Sequence, residues 1–292
     1  MKHLTLLFVV GGITLLVATN APADDIEPLK SALTFHASFD GKTEADFAKG
    51  DPKLYTVLAT KPEVKTQEGL PESVENVAHE SGGGKFGDFL QFKTNKNGKI
   101  FFKARDNFHY SEKDWEGSFS VWMRTTPDED IPTGYTDPIQ ITPRSALDAC
   151  FFCEFGIEEP RPFRLGVFPD KAAWNPDNIP GKDFPLTSRP LISVVDPPFS
   201  RDRWTHVAFT FRGFNKDDTN AVTRIFVDGI PRGDLMNWKQ QFTWDLEEAQ
   251  IRLGVKFVGG MDEISCFKRA LTIDEVKTLF ELEKGVTGIL GK

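Results

Sequence analysis

The sequence predicts an all-β domain, an antiparallel jelly-roll β-sandwich with one short C-terminal helix, and three observations carry that prediction. Apolar residues recur with a period of two in many short runs, Gly, Pro, Asn and Asp punctuate the runs, and one capped helical pattern stands near the C-terminus. Alternation of this kind buries one face of each strand, and many antiparallel strands at short spacing resolve into two packed sheets. The 292 residues include 26 Phe beside 3 Tyr, and Phe, which has no polar handle to keep in water, is core material.

The chain opens on Met1-Lys2-His3, a nearly all-apolar stretch from Leu4 to Val17, and Ala21-Pro22-Ala23 before Asp24-Asp25. A basic start, an apolar run too short to span a bilayer comfortably and an Ala-x-Ala site predict a signal peptide over 1–23, with cleavage near Ala23. The mature chain, 24–292, then reads as one domain with its core over about 33–282. It is expected to be secreted, periplasmic or at the cell surface, with no membrane insertion of its own.

Leu33, Phe35, Ala37 and Phe39 alternate with Thr34, His36, Ser38 and Asp40; Phe119, Val121 and Met123 alternate with Ser120, Trp122 and Arg124; Val207, Phe209 and Phe211 alternate with His206, Ala208 and Thr210. Shorter runs at 89–93, 100–104, 163–168, 191–195, 251–255 and 262–267 read as further strands. Thr223 to Val227 and Ile230 to Gly233 flank Asp228-Gly229, the pair best suited to the positive φ angles of a type I′ hairpin turn. Near the end, Thr272 and Glu275 form a capping box, Leu271 faces Val276 as a staple, and Gly285 is placed to stop the helix. Two stretches break the rhythm: a polar one from Lys61 to Gly84, and one from Pro169 to Asp202 carrying seven prolines. A long irregular connection in a compact domain is either a ligand-shaping loop or a surface insertion.

Cys150 and Cys153 lie three apart in Ala149-Cys-Phe-Phe-Cys-Glu-Phe155, which reads as a strand, so they point to opposite faces. That excludes a local bridge, and no second Cys pair completes a zinc site. Buried free thiols, or one bridge from Cys266 to either of the other two, both remain open.

Several segments in order resemble one family: Phe35-His-Ala-Ser-Phe-Asp-Gly41, Gly84-Lys-Phe-Gly-Asp-Phe-Leu-Gln-Phe92, Phe119-Ser-Val-Trp-Met123, Asp202-Arg-Trp-Thr-His-Val-Ala-Phe209, Ile225-Phe-Val-Asp-Gly-Ile230, and Gly260-Met-Asp-Glu-Ile264 through Lys268-Arg-Ala-Leu-Thr-Ile-Asp-Glu-Val276. Together they resemble the laminin-G-like jelly roll of the concanavalin A-like lectin/glucanase superfamily, in its bacterial secreted form. The resemblance implies the fold over nearly the whole mature chain and leaves function open, since the superfold hosts lectins, adhesion modules, hydrolases and lyases. It also implies a structural Ca²⁺ ion held by Asp40 and Asp262, the positions that match; the same two acids read equally well as acceptors of turn amides.

Composition and motifs narrow the function. A net charge of -8 without clustered Lys and Arg argues against a nucleic-acid partner. A hydrolase needs two carboxylates facing one cleft, and the Glu-x-Asp-x-Glu strand common among hydrolases of this superfamily is absent from the sequence. Asp128 to Asp130, Glu158-Glu159, Asp217-Asp218 and Glu247-Glu248 read as solvated loop acids, and Asp262-Glu263, adjacent on a strand, point to opposite faces. His206 reads as a structural hydrogen-bonder, and no nucleophile elbow or phosphate loop is present. For sugar binding, aromatic residues in irregular loops are the candidates: Trp174 with Asn175, Asp177 and Asn178 first, then Tyr135 with Thr136 and Asp137. The reading is therefore an exported, non-catalytic binding or adhesion module for a glycan or an extracellular protein; the alternatives are a glycan-active hydrolase or lyase of the same fold, or a structural cell-surface component.

Overall fold

The structure, a computed structural model, describes residues 23–60, 63–96, 99–180 and 183–291. The expected signal peptide lies outside the described residues except for Ala23, where the first helix begins.

Two antiparallel sheets form the sandwich, as the alternation predicts. The first runs β15 (Ile230–Leu235), β14 (Val222–Val227), β13 (Thr205–Phe214), β8 (Trp115–Arg124), β17 (Gly259–Phe267), β1 (Leu33–Ala37) and β2 (Phe47–Ala48). On β17 it also carries β6 (Phe89–Phe92), which pairs with β5 (Val77–Glu80). The second runs β12 (Leu191–Val194), β11 (Phe163–Phe168), β10 (Cys150–Phe155), β9 (Thr136–Thr142), β16 (Gln250–Val255), β7 (Lys99–Lys103), β3 (Leu54–Ala59) and β4 (Lys65–Glu68).

Phe fills the space between them. All of the largest fully buried side chains other than Trp115 are Phe. Rings meet across the interface, Phe151 of β10 on Phe209 of β13 at 5.6 Å and Phe35 of β1 on Phe102 of β7 at 4.8 Å between centroids. Offset and edge-on aromatic pairs of this kind add roughly 0.5–1.5 kcal/mol each beyond the area they bury. Trp115 joins the cluster because its N–H finds the His109 carbonyl at 2.8 Å.

The hairpin turn is as written: Asp228 and Gly229 have φ of 51° and 73°. In α4 (Ile273–Glu281) the Thr272 hydroxyl accepts the Glu275 N–H at 3.2 Å and the Glu275 carboxylate accepts the Thr272 N–H at 2.8 Å. The stop differs from expectation. The helix ends at Glu281, and Gly285, at φ 58°, opens a further short helix, α5 (Gly285–Ile289).

Three other corrections have physical causes. The segment read as a polar loop, 61–84, contains β4 and β5; β4 is an exposed edge strand, and an edge with water on both faces shows no alternation. A helix over Ala23–Ala32, α1, precedes β1 and packs Leu29 and Ala32 with Val276 and Val286 of the C-terminal helices on Phe267 of β17. That cover buries the outer face of the first sheet too, so every residue of β1 is buried. His36 there bonds the Ser265 hydroxyl at 3.0 Å and the Thr287 hydroxyl at 3.1 Å. His206 meets the Ser120 hydroxyl at 2.8 Å, and burial pushes its pKa down to about 3, which keeps it neutral and fits a structural role.

The third correction is a bulge. Asp262 and Glu263 do not diverge: Glu263 adopts φ 55°, the register with β8 slips between Asp262 and Ser265, and both carboxyls lie buried on the outer side of β17. Strand period fails wherever an extra residue is inserted. The three cysteines are free and buried, with Cys153 and Cys266 in the central core and Cys150 on the outer face of the second sheet. Burial pushes all three thiols up.

Candidate functional site

The inward residues of β9, β10 and β11, among them Ile139, Ile141, Phe151, Cys153 and Leu165, belong to the core, so their alternates face outward. Cross-strand register lines these alternates up: Tyr55, Phe101, Arg252, Gln140, Phe152 and Gly166 are successive partners across the sheet, and Glu154 pairs with Arg164 one step along. Gly166 is required at its place, because a Cβ there would lie 2.2 Å from the Phe152 ring. Pro138 interrupts β9, and the β9–β10 register slips between Cys153 and Phe155. The slip sets Asp137 beside Glu154 on the outer face, close enough for its charge to raise the Glu154 pKa.

The result is a compact charged cluster on a sheet face. Arg164 Nε stands 2.9 Å from a Glu154 oxygen, and the Gln140 amide donates to Asp137 at 2.6 Å. Burial pushes Asp137 up to about 6, against the opposing pull of the Gln140 bond and of Lys256 and Arg164. Burial likewise pushes Glu154 to about 7, opposed by Arg164 and, from the proline-rich loop, by Arg189. Asp137 Oδ1 and Arg164 Nη2 are buried and meet no hydrogen-bond partner among the described residues. A buried polar atom in that condition costs roughly 1–3 kcal/mol. Over this cluster lies Tyr135, its ring centroid 5.1 Å from the Arg164 guanidinium and its side chain 40% exposed.

The residues expected to bind sugar separate into two roles. Trp174, in α3 (Lys171–Trp174), is 8% exposed; it meets Phe168 edge-on at 4.8 Å and Phe184 at 5.2 Å, and its N–H donates to the Leu147 carbonyl at 3.0 Å. Its ring therefore pins the proline-rich loop to the sheet and offers no face to a ligand. Asn175 is buried, accepting from the Ile179 N–H at 2.9 Å and donating to the Ile179 carbonyl at 3.0 Å. Asp177 is exposed on the same loop. Tyr135 keeps the expected exposure. It stands at the opposite end of the β10–β11 pair from Trp174, since Arg164 pairs with Glu154 whereas Phe168 pairs with Cys150.

From the loop, Arg189, whose guanidinium donates to the Phe184 carbonyl at 2.7 Å, comes within electrostatic range of Glu154. Asp137 was named with Tyr135 in the sequence, whereas Gln140, Glu154, Arg164 and Arg252 were not singled out by the motif reading. The signal that finds them is isolated polar residues inside otherwise apolar strands, Gln140 between Ile139 and Ile141, and Glu154 and Arg164 among Phe and Leu.

Asp40 and Asp262 come within electrostatic range, the Asp40 charge adding to burial in pushing Asp262 up to about 7. Their oxygens, however, are aimed at amides. Asp262 accepts the N–H groups of Lys85 at 2.7 Å, Phe86 at 3.3 Å and Glu263 at 2.8 Å, and Asp40 accepts that of Asp88 at 2.8 Å. Calcium is held by carboxylate and carbonyl oxygens converging on one point, and Asp262, whose two oxygens already accept three N–H groups, does not fit it. Among the described residues no group of three or more His, Cys, Asp or Glu is placed to hold a metal ion.

No known protein family and no curated protein matches the sequence. Solved structures do. Domain 4 of AbnA, a GH43 extracellular arabinanase from Geobacillus stearothermophilus, in complex with arabinotriose, superposes with a TM-score of 0.52 at 18% identity, over 84% of this chain and 97% of that one. The ligand-binding domain of Botulinum neurotoxin serotype D, in complex with N-acetylneuraminic acid, gives 0.54 at 9% identity, and the binding domain of Paraclostridial Mosquitocidal Protein 1 gives 0.53 at 12%. The match covers 88% and 86% of this chain and 52% of each of those two. At such identities the likeness shows the fold. It is a β-sandwich of the jelly-roll kind.

Proposed function

We propose that this chain is an exported, non-catalytic carbohydrate-binding module whose site is the outer face of the second sheet around Tyr135, Asp137, Gln140, Glu154 and Arg164. One observation carries the reading: a half-exposed Tyr ring lies against a buried guanidinium, beside Asp137 and Arg164 atoms that have no hydrogen-bond partner among the described residues. A sugar offers an apolar ring face to the Tyr and hydroxyls that both donate and accept, which is what Arg164 Nη2 and Asp137 Oδ1 require. The proline-rich loop, pinned by Trp174, forms one wall of that site. Solved sandwiches of the same fold holding arabinotriose and N-acetylneuraminic acid support a glycan as the ligand class.

The test is a glycan-array screen followed by titration of the strongest glycan against Tyr135→Ala and Arg164→Lys. Both variants are expected to weaken binding at least about tenfold, or about 1.4 kcal/mol, with the unfolding midpoint of Tyr135→Ala unchanged. A blank array, or unaltered affinity in both variants, would overturn the assignment.

A second reading, a glycan-active enzyme, is favoured by one feature, two adjacent carboxyls whose pKa values burial pushes to about 6 and about 7. Carboxyls tuned toward neutrality can act as acid and base. Release of reducing or unsaturated ends from a bound glycan, abolished by Glu154→Gln, would replace the binding reading with this one.

A further inference from the structure

We infer that the groove beside Arg124 is a second binding site, separate from the Tyr135 face, and that it takes the carboxylate of an acidic sugar residue. The groove, about 420 Å³, lies at the end of the first sheet and is lined by Gln91, Arg124, Asp130, Arg201, Asp202 and Gly259. That volume is within the roughly 300–1,000 Å³ usual for ligand sites.

Arg124 is its distinguishing group. The guanidinium carbon lies 4.7 Å from the Trp204 ring centroid and 5.0 Å from that of Phe89, so the cation rests against two aromatic rings. The rings are themselves fixed: Trp204 meets Phe89 edge-on at 5.4 Å and donates its N–H to the Gly83 carbonyl at 3.2 Å. Among the described residues no carboxylate pairs with Arg124 and no hydrogen bond engages its donors. Contact with ring carbons uses none of the guanidinium's N–H donors, so they remain available for two parallel bonds to a planar oxyanion.

The neighbouring charges select which oxyanion. Arg201 is already neutralised, 2.6 Å from Glu129 and 2.8 Å from Asp130 of α2 (Pro127–Asp130), so Arg124 is the cation of the groove left unpaired among the described residues. Asp202, exposed at the groove and without a side-chain partner among the described residues, disfavours a bare polyanion. It suits a molecule that bears hydroxyl donors next to its carboxylate. Gln91, whose amide nitrogen donates to the Phe92 carbonyl at 3.1 Å, leaves its oxygen as a second acceptor. A hexuronate supplies this combination, one carboxylate for Arg124 and ring hydroxyls for Asp202 and Gln91.

Titration of the purified chain with glucuronate, followed by Trp fluorescence and by NMR of the Arg and Gln side-chain signals, tests the assignment, with glucose and acetate as parallel probes. Glucuronate is expected to bind at least about tenfold more tightly than glucose or acetate. Arg124→Lys, which keeps the cation and loses the fork, is expected to lose at least about tenfold, and Tyr135→Ala to leave the response intact. Equal binding of glucose and glucuronate, equal binding of acetate and glucuronate, an unaltered affinity in Arg124→Lys, or loss of the response in Tyr135→Ala would each overturn it. Because the Tyr135 face is probed by a different variant, failure of one site leaves the other standing.

Discussion

Trp174→Ala should act on the proline-rich loop before it acts on any ligand. The ring is 8% exposed, makes two edge-on aromatic contacts at 4.8 and 5.2 Å, and donates one hydrogen bond at 3.0 Å. Truncating a buried Trp costs roughly 3–5 kcal/mol. Because the residue closes a four-residue helix in a loop, the whole molecule need not bear that cost; the loop can open locally instead. The amides to watch are Ala173, Asn175 and Asn178, which donate to Asp170, Lys171 and Asn175 at 2.7, 2.9 and 3.0 Å. Hydrogen exchange at these positions should accelerate by about two orders of magnitude for a local loss of roughly 3 kcal/mol, at one order per 1.4 kcal/mol. Trp174→Phe, which keeps the ring contacts and loses the N–H, should cost about 1 kcal/mol and accelerate exchange by under tenfold. Unchanged exchange and an unchanged unfolding midpoint in Trp174→Ala, together with lost glycan binding, would refute the reasoning and return the ring to the role of a binding platform.

Asp262→Asn replaces one acceptor oxygen with a donor in a site where three backbone N–H groups converge, so at pH 8 it should cost about 2 kcal/mol, or roughly 4–8 °C in Tm; a loss under about 1 °C would contradict the amide-acceptor role. Chelation with EDTA should leave the midpoint unmoved, whereas a midpoint that rises with added Ca²⁺ would show a native-state cation that the geometry does not favour. For pH, the sign follows from three carboxyls whose folded values, about 6 for Asp137 and about 7 for Glu154 and Asp262, exceed the ordinary 3.8 and 4.5. Each binds its proton more tightly when folded, so its contribution is full below about pH 4 and is lost as pH rises through 6 to 7. The midpoint should fall between pH 5 and 8, and Glu154→Gln should flatten that fall; a midpoint rising over the same range would be inconsistent with these buried acids.

Most of the sandwich was legible because strand alternation and turn chemistry are local. Asp228-Gly229 and the Thr272–Glu275 box were readable for the same reason, each being settled within a few residues. What escaped the sequence was set by non-local context. β9 contains Pro138, which argues against a central strand, and it is accommodated where the register with β10 slips. The separation of Asp262 from Glu263 was inferred from strand period, and a positive φ at Glu263 cancels it. Trp174 illustrates the limit for site residues. A Trp in an irregular loop satisfies the composition of a sugar platform, yet whether its ring faces water depends on Phe168 and Phe184, neither of which its own neighbourhood reveals.

The two outer faces of the sandwich have opposite chemistry, and that contrast locates function. On the first sheet, helices packed over β1, β17 and neighbouring strands bury His36, His206, Asp262 and Glu263 at or below 2% exposure; His206 is held neutral, three backbone amides take up Asp262, and one oxygen of Glu263 accepts the Val286 N–H. Such a face contributes to stability and is closed to ligands wherever the helices lie. The groove at Arg124 is beyond that cover, at the margin where Trp204 and Phe89 take over from the helices. On the second sheet, Asp137, Glu154 and Arg164 are bordered by a loop pinned at one end and capped at the other by an exposed Tyr. Charged groups buried at a free-energy cost without complete partners are poor stabilisers, and replacing the Asp137–Glu154–Arg164 cluster with apolar residues of similar volume should therefore leave the fold as stable or more so while removing ligand recognition. A variant that loses both together would mean that the cluster serves the fold.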